Sequence, residues 1–321
     1  MQMSYIIGID LGGTNMVAAL TYKNETIIAR EKTETMADSG FANVVRRLAE
    51  LVQRLMDGAG VSCRQVEGIG IGVPGYLNMM SGVVHFSPNF TGWTEVPLVD
   101  ELHKHISLPV YIVNDVNAHA LGEYRFGAGR GAEHIAVLAL GTGVGGGLIL
   151  DGRLYAGSTE GGGELGHIVV DPDGPRCECG CYGCLEAFAK AQAIADRTAM
   201  KLQQGKRSLI PGMVDGDIRS ITPAVVAQAA EAGDQTAIEV WDEVGMYVGI
   251  AAAGLIQALS PQVIVIGGGI AGAGRFLMDP IRRTVETRAL LVPASTCRLE
   301  LSPLGDDAGL LGAISLVIEK R

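Results

Sequence analysis

Four cysteines stand within eight residues, at Cys177, Cys179, Cys181 and Cys184, and His167 precedes the first of them by ten positions. The spacing H-x9-C-x-C-x4-C supplies three thiolates and one imidazole, the donor set of a closed tetrahedral zinc site. Four protein ligands leave no open coordination position, so a zinc held this way is structural. Cys181 is a further thiol, which either replaces one of the other three as ligand or stands free. An even count of six cysteines would also suit disulfides. Such crowding, in a chain that opens without the basic and apolar regions of a secretory leader, points instead to metal.

Carboxylates flank this cluster. Glu164 lies three residues before His167, and Glu186 lies two after Cys184. Closing the loop round a metal brings both toward the imidazole. Two carboxylates and the imidazole nitrogen that faces away from the metal make a set able to hydrogen-bond a polyol. Read alone, Glu186 is also a charge suited to a helix N-terminus. Asp115 follows an apolar strand, at the carboxyl end where open α/β sheets gather their ligands. Read alone, it also suits the cap of a helix beginning near Asn117.

Three glycine-rich turns add a second kind of chemistry: Asp10-Leu11-Gly12-Gly13-Thr14-Asn15, Gly141-Thr142-Gly143-Val144-Gly145-Gly146-Gly147, and Gly267-Gly268-Gly269. Each follows an apolar strand, and backbone N–H groups in such turns form anion nests that glycine lets a phosphate approach closely. Thr14 and Thr142 add hydroxyl donors. Two stretches match G-x-G-x-x-G, at Gly70, Gly72, Gly75 and at Gly141, Gly143, Gly146. Neither runs into the helix that a dinucleotide site requires, and none of the loops carries the lysine of a P-loop. The expected ligand is therefore a phosphate-bearing molecule cradled by hairpin turns. Glycines elsewhere, such as Gly245, Gly249 and Gly254, fall in apolar helical stretches, where close packing is their expected role.

The elements that position these groups follow from hydrophobic periodicity. Residues 5–9 and 16–22 read as a hairpin around the first glycine turn, with a third strand near 26–33. Phe41, Val44, Val45, Leu48, Leu51, Val52, Leu55 and Met56 keep helical spacing up to Gly58. Strands at 66–73 and 110–113 follow, with a helix near 98–106 between them. The second half repeats the theme: strand 134–140, turn 141–147, strand 148–150. Helices near 185–203, 223–232 and 236–259, a strand at 263–266 and a last helix near 307–320 complete the reading. Two strand, turn, strand units about 130 residues apart suggest a duplicated α/β domain.

Composition agrees with a small-molecule partner. The chain has 321 residues, 48% of them apolar, and 45 glycines without a collagen period, so it can bury a sizeable core. Its net charge of −10 argues against work on nucleic-acid phosphates or anionic lipid. The longest weakly polar run, about 244–259, is too short for a membrane span. A cytoplasmic protein without nucleic-acid or membrane partners is expected.

The ordered set of Asp10 to Asn15, Gly72-Val73-Pro74-Gly75, Pro88-Asn89 with Gly92-Trp93, Asn114-Asp115-Val116-Asn117, Leu140 to Gly147, Glu164-Leu165-Gly166-His167 and the cysteines ending Cys184-Leu185-Glu186 resembles the ROK family of sugar kinases, and within it the bacterial glucokinases. The likeness runs from about residue 5 to 190 and continues to Gly267-Gly268-Gly269.

The resemblance implies an actin-like (ribonuclease H-like) duplicated ATPase fold of two α/β domains around a cleft. Residues 1–116 with about 305–321 would form the smaller domain, and 117–304 the larger, with the zinc loop. It implies ATP-dependent phosphorylation of a hexose at its 6-hydroxyl, most nearly glucose, with Mg²⁺ and with Asp115 as general base. Gly75, Asn89, Asn114, Asp115, Glu164, His167 and Glu186 would hold the sugar, and His167, Cys177, Cys179 and Cys184 the structural zinc. Gly12, Gly13, Thr14, Thr142, Gly143 and Gly268 would line the nucleotide, with Asp10 near the magnesium. Cys181 departs from the family pattern, where a non-thiol is usual. The expected assembly is a homodimer or homotetramer.

Alternatives stay open within and beyond this reading. Mannose, N-acetylmannosamine, N-acetylglucosamine, allose or fructose could replace glucose, and polyphosphate or ADP could replace ATP. A sugar-sensing ROK regulator without catalysis is the alternative of a different class. Because the phosphate hairpin begins by residue 5, a DNA-reading module before it is not expected.

Overall fold

The computed structural model describes residues 4–22 and 26–320. The chain divides into two compact units. One comprises Met1–Gly131, Gly147–Gly163 and Asp306–Arg321, the other Ala132–Gly146 and Glu164–Gly305.

In the first unit, β1 (Tyr5–Leu11), β2 (Asn15–Tyr22) and β3 (Thr26–Glu34) form an antiparallel meander. The helix α1 (Phe41–Ala59) follows, and then β4 (Val66–Val73) returns parallel to β1. A small sheet of β5 (Tyr76–Asn78), β6 (Val83–Phe86) and β7 (Thr94–Val96) comes next. After α2 (Leu98–His103), β8 (Val110–Asn114) pairs parallel with β4 and runs into α3 (Asp115–Phe126).

The main sheet, in the order β3-β2-β1-β4-β8, is covered on both faces, and the period-2 rule sorts its side chains. Ile7, Ile9 and Leu11 point into one core with Val44, Leu48, Leu51 and Leu55 of α1. Ile6 points the other way and packs with Ile314 and Val317 of the C-terminal helix. Gly8 and Gly70 share that second face. A Cβ on Gly70 would stand 1.8 Å from the carbonyl oxygen of Ala313, so here glycine lets a helix backbone press against the strands.

The second sheet has the order β11-β10-β9-β12-β13. Its strands are β9 (Ile135–Leu140), β10 (Val144–Leu150), β11 (Arg153–Leu154), β12 (Val263–Gly267) and β13 (Arg298–Leu301). Counted along the chain, both sheets place their main strands third, second, first, fourth, fifth, and in both the last two pair parallel with what precedes. This is the duplication that the paired hairpins suggested.

Helices α4 (Glu186–Ala189), α5 (Ala191–Gln203), α6 (Ile210–Met213), α7 (Pro223–Glu231), α8 (Gln235–Leu259) and α9 (Arg275–Arg288) accompany it. Finally, α10 (Ala308–Glu319) packs on α3 within the first unit. A bidentate pair from Arg30 to Asp307, at 2.5 and 2.7 Å, fixes its N-terminal end to β3.

Several expectations are corrected. The turn expected over 141–147 is shorter, because β10 already begins at Val144. The helix expected over 185–203 breaks at Lys190, whose ψ of 159° is extended, and the N–H of Ala191 turns aside to the carbonyl of Gly141 at 2.9 Å. The helix at Asn117 begins two residues earlier, at Asp115. Gly245 and Gly249 do pack closely, against Pro280 and Thr284 of α9, but Gly254 has nothing within 4 Å of its missing side chain. Among the described residues, no helix is long and apolar enough to cross a membrane.

Candidate active site

The first unit gathers Asp10, Gly12, Gly13, Gly75, Asn89, Asn114 and Asp115. The strand β8 ends at Asn114, which caps α3: its side-chain oxygen accepts the N–H groups of Val116 at 3.0 Å and Asn117 at 3.1 Å. Its amide nitrogen donates to the carbonyl of Gly75 at 3.1 Å. Asn114 thus ties the end of β8 to the turn that follows β4. Of the hydrogen-bonding groups of that side chain, these contacts commit both acceptor sites and one donor. Cap duty therefore belongs to Asn114, and Asp115 occupies the first helical position, where the helix dipole favours a carboxylate. Its Oδ1 accepts the N–H of Val116 at 3.0 Å.

Gly75 has φ of 116°, and a Cβ there would stand 2.3 Å from the carbonyl oxygen of Phe86. No other residue fits. The segment beyond Phe86 carries Asn89 and is anchored by Phe90 and Trp93, both buried and stacked at 4.4 Å. That anchor leaves Asn89 exposed and against the first glycine turn: the missing Cβ of Gly13 lies 3.4 Å from the Nδ2 of Asn89. A residue expected on a sugar and one expected on a phosphate are therefore neighbours. The turn is fixed from beneath by Thr35, fully buried, whose hydroxyl donates to the carbonyl of Gly12 at 2.6 Å.

Asp10 closes this group. Burial, reinforced by the charges of Asp115 and then Asp306, pushes its carboxyl up to about 6. The three acidic groups thus form a strongly negative patch, which a divalent cation would relieve. His119 lies nearby, its ring 3.0 Å from the space a Cβ on Gly309 would fill, with the carboxyl carbon of Asp10 3.7 Å from the same point. Burial lowers the His119 pKa. Sequence reading missed His119 and Asp306; their only signal was proximity through α10, which periodicity does not reveal.

The second unit holds Thr142, Gly143, Glu164, His167, Glu186, Gly268 and the cysteines. The N–H of Gly141 donates to the carbonyl of Gly143 at 2.8 Å, leaving Thr142 exposed at the tip. Gly268, at φ of 79°, faces the end of β9: a Cβ would stand 2.2 Å from the carbonyl oxygen of Leu140. Two of the expected nucleotide turns therefore adjoin. Glu186 begins α4, as a helix N-terminal charge should, and accepts the N–H of Val144 at 3.0 Å through Oε2. Its other oxygen lies 3.5 Å from the Cys177 sulfur. Glu186 so joins the phosphate turn to the cysteine loop, a structural connection that spacing alone did not disclose. Glu164 is exposed, just before the short turn that presents His167.

The ligand atoms of His167, Cys177, Cys179 and Cys184 all lie within 4.8 Å of one another. The Cys179 and Cys184 sulfurs are 3.7 Å apart, and the Cys177 sulfur is 3.7 Å from Nδ1 of His167. Tetrahedral zinc with bonds of about 2.3 Å to sulfur needs such separations, so the donor set and its size both fit. Cys181 is exposed and outside this group; its carbonyl accepts the N–H of Cys177 at 2.7 Å. None of the six cysteines is in a disulfide.

The chain is 40% identical to a glucokinase of Thermotoga maritima over 315 residues, covering 98% of each chain. It is 32% identical to a xylose repressor of Caldicellulosiruptor bescii, covering 98% of this chain and 78% of that one. The crystal structure of a ROK family glucokinase from Streptomyces griseus, in complex with glucose and AMPPNP, superposes with a TM-score of 0.83 at 32% identity, covering 99% of each chain. The fold is thus the actin-like ATPase fold of the ROK sugar kinases. With the family model matching residues 6–320, the chain belongs to the ROK family.

Proposed function

We propose that the protein is a glucokinase, transferring the γ-phosphoryl group of ATP to the 6-hydroxyl of glucose. One observation carries the reading: in the first unit the phosphate turn at Gly13 lies beside Asn89, while Asn114 binds the Gly75 turn and sets Asp115 at the head of α3. Sugar-facing and phosphate-facing groups are therefore built as one piece, as phosphoryl transfer to a sugar requires. The glucokinase relatives support glucose as acceptor and ATP as donor.

Asn89, Asn114, Glu164, His167 and Glu186 orient the sugar hydroxyls. Asp115 accepts the 6-hydroxyl proton as the sugar's 6-oxygen bonds to the γ-phosphorus and the bond from that phosphorus to the β,γ-bridging oxygen breaks, releasing ADP. Gly12, Gly13, Thr14, Thr142, Gly143 and Gly268 hold the nucleotide by backbone and hydroxyl donors, and Asp10 faces the magnesium side. Mg²⁺, when bound there, would supply positive charge against the phosphates. His167, Cys177, Cys179 and Cys184 would hold zinc, which would brace the loop carrying His167 and leave its other ring nitrogen for a sugar hydroxyl. A soluble cytoplasmic homo-oligomer is part of the same reading.

The repressor relative supports one other reading, a sugar sensor without catalysis. An ADP-release assay over glucose, mannose, fructose, allose and the N-acetylhexosamines, with Asp115→Asn as control, decides. The highest kcat/KM on glucose is expected. A preference for another sugar reassigns the acceptor, and sugar binding without turnover of any favours the sensor.

A further inference from the structure

We propose that Tyr76 and Glu160 are positioning residues for the sugar, acting through the glycine-rich segment 157–163 that leads directly into Glu164. The inference rests on the reading of Glu164 as a sugar ligand. The segment contains Gly157, Gly161, Gly162 and Gly163, so its backbone has little stiffness of its own. One backbone bond, from the N–H of Gly162 to the carbonyl of Ala156 at 2.8 Å, folds it on itself.

Two side chains tie the segment to β5 and to the turn just after it. The Tyr76 hydroxyl donates to the carbonyl of Thr159 at 2.7 Å, and the Tyr76 ring lies 3.6 Å from the space a Cβ on Gly161 would fill. The Glu160 carboxylate accepts the N–H of Met79 at 2.6 Å. Glu160 is held at φ of 62°, a conformation that side-chain-bearing residues adopt only where their surroundings impose it. Its carboxylate contact is such an imposition.

Tyr76 is itself held in place. Its ring packs against that of His85, tilted by 32° with centroids 5.1 Å apart, and Nδ1 of His85 lies 2.9 Å from the carboxylate of Glu95. A line of contacts therefore runs from Glu95 through His85 and Tyr76 to Thr159. Within it Tyr76 is next in the chain to Gly75, and Glu160, which follows Thr159, stands four residues before Glu164. The clamp thus meets both stretches that carry expected sugar contacts. Tyr76 is 44% exposed, so the core does not require this ring, and its hydroxyl bond serves the loop.

The test varies glucose and ATP separately in Tyr76→Phe, Glu160→Ala and Glu160→Gln. Loss of one hydrogen bond corresponds to about a five- to tenfold effect. Tyr76→Phe and Glu160→Ala are each expected to raise the KM for glucose by about that factor and to leave the KM for ATP within about twofold. In Glu160→Gln the amide oxygen still accepts from Met79, so this variant should remain within about twofold of the wild type. Hydrogen exchange, which needs no turnover, should be faster across 157–164 in the first two variants. Unchanged glucose KM in both, a parallel rise of both KM values, or unchanged exchange overturns the clamp. Wild-type turnover of glucose is the control: its absence defeats the sugar-kinase reading, whereas with it present, unaltered variants defeat the clamp alone.

Discussion

The carboxyl of Asp10, at the end of β1, is buried beside that of Asp115, at the start of α3, and the burial together with this like charge and that of Asp306 raises Asp10 to about 6 from 3.8. An acid shifted this way stabilises the fold fully only below its unfolded value and loses that contribution as pH rises through 6. At pH 7.5 Asp10 therefore weighs against stability, by up to about 3 kcal/mol. Asp10→Asn should raise the melting temperature at pH 7.5 by several degrees, with the gain vanishing below about pH 4, while phosphoryl transfer falls about 100-fold or more. Scanning calorimetry across pH checks this; a variant no more stable than wild type at pH 7.5 contradicts it.

Asp115 and its neighbour Asn114 should separate chemistry from folding. Because Asn114 caps α3, Asp115→Asn leaves the helix start intact and should lower kcat about 10²- to 10⁴-fold with little change in melting temperature or in the KM for glucose. Asn114→Ala removes the cap and the tie to Gly75, and should cost about 1–2 kcal/mol of stability. Steady-state kinetics and urea unfolding of the two variants provide the comparison. A large loss of stability in Asp115→Asn would show that the carboxylate supports the fold instead.

What could be read from the residues, and what could not, follows from the range of the interactions. The hairpins, α1, β4 and β8 rest on local period and turn chemistry, and so stood out. The small sheet β5 to β7 leaves no legible period, because its strands are three or four residues long. Helix α9 was obscured by its charges and by Pro280, although Leu277, Ile281 and Val285 keep one face. The break at Lys190 depends on a bond from Ala191 to Gly141, fifty positions away in the chain. At the site, motif spacing indicated Asp115, the glycine turns and the metal donors. It did not show that Glu186 joins the phosphate turn to Cys177, since that link exists only in three dimensions.

The geometry of the cysteine loop distinguishes its thiols. Cys184 is buried, pairs with Val169 across an isolated bridge and belongs to the group of four donors. Cys181 is exposed and contributes its backbone. Cys181→Ser should keep about one zinc per chain by elemental analysis and an unchanged melting temperature. Cys184→Ser should lose most of the metal, melt lower, and raise the KM for glucose through displacement of His167. Chelation of the wild type should reproduce the second pattern, because metal binding and loop folding are coupled. A zinc-free wild type of full stability would contradict the structural role.

Three helical glycines should respond to a methyl group in opposite senses. A Cβ on Gly312 of α10 would stand 1.6 Å from the carbonyl oxygen of Ala118 in α3, a backbone atom that cannot move without parting the two helices. Gly312→Ala should therefore cost more than about 4 kcal/mol or prevent folding. At Gly249 the contacts are the Cβ of Thr284 at 2.5 Å and the carbonyl oxygen of Ile281 at 3.0 Å, a looser clash than at Gly312, and a loss of about 1–3 kcal/mol is expected. Gly254 lies in the same helix as Gly249 and meets nothing within 4 Å. There the lower conformational freedom of alanine in the unfolded chain prevails, and Gly254→Ala should gain about 0.5–1 kcal/mol. Urea midpoints ordered Gly254→Ala, wild type, Gly249→Ala, Gly312→Ala would bear out the packing of α10 on α3 and of α8 on α9. A Gly312→Ala protein as stable as the wild type would mean that α10 does not lie at this distance from α3.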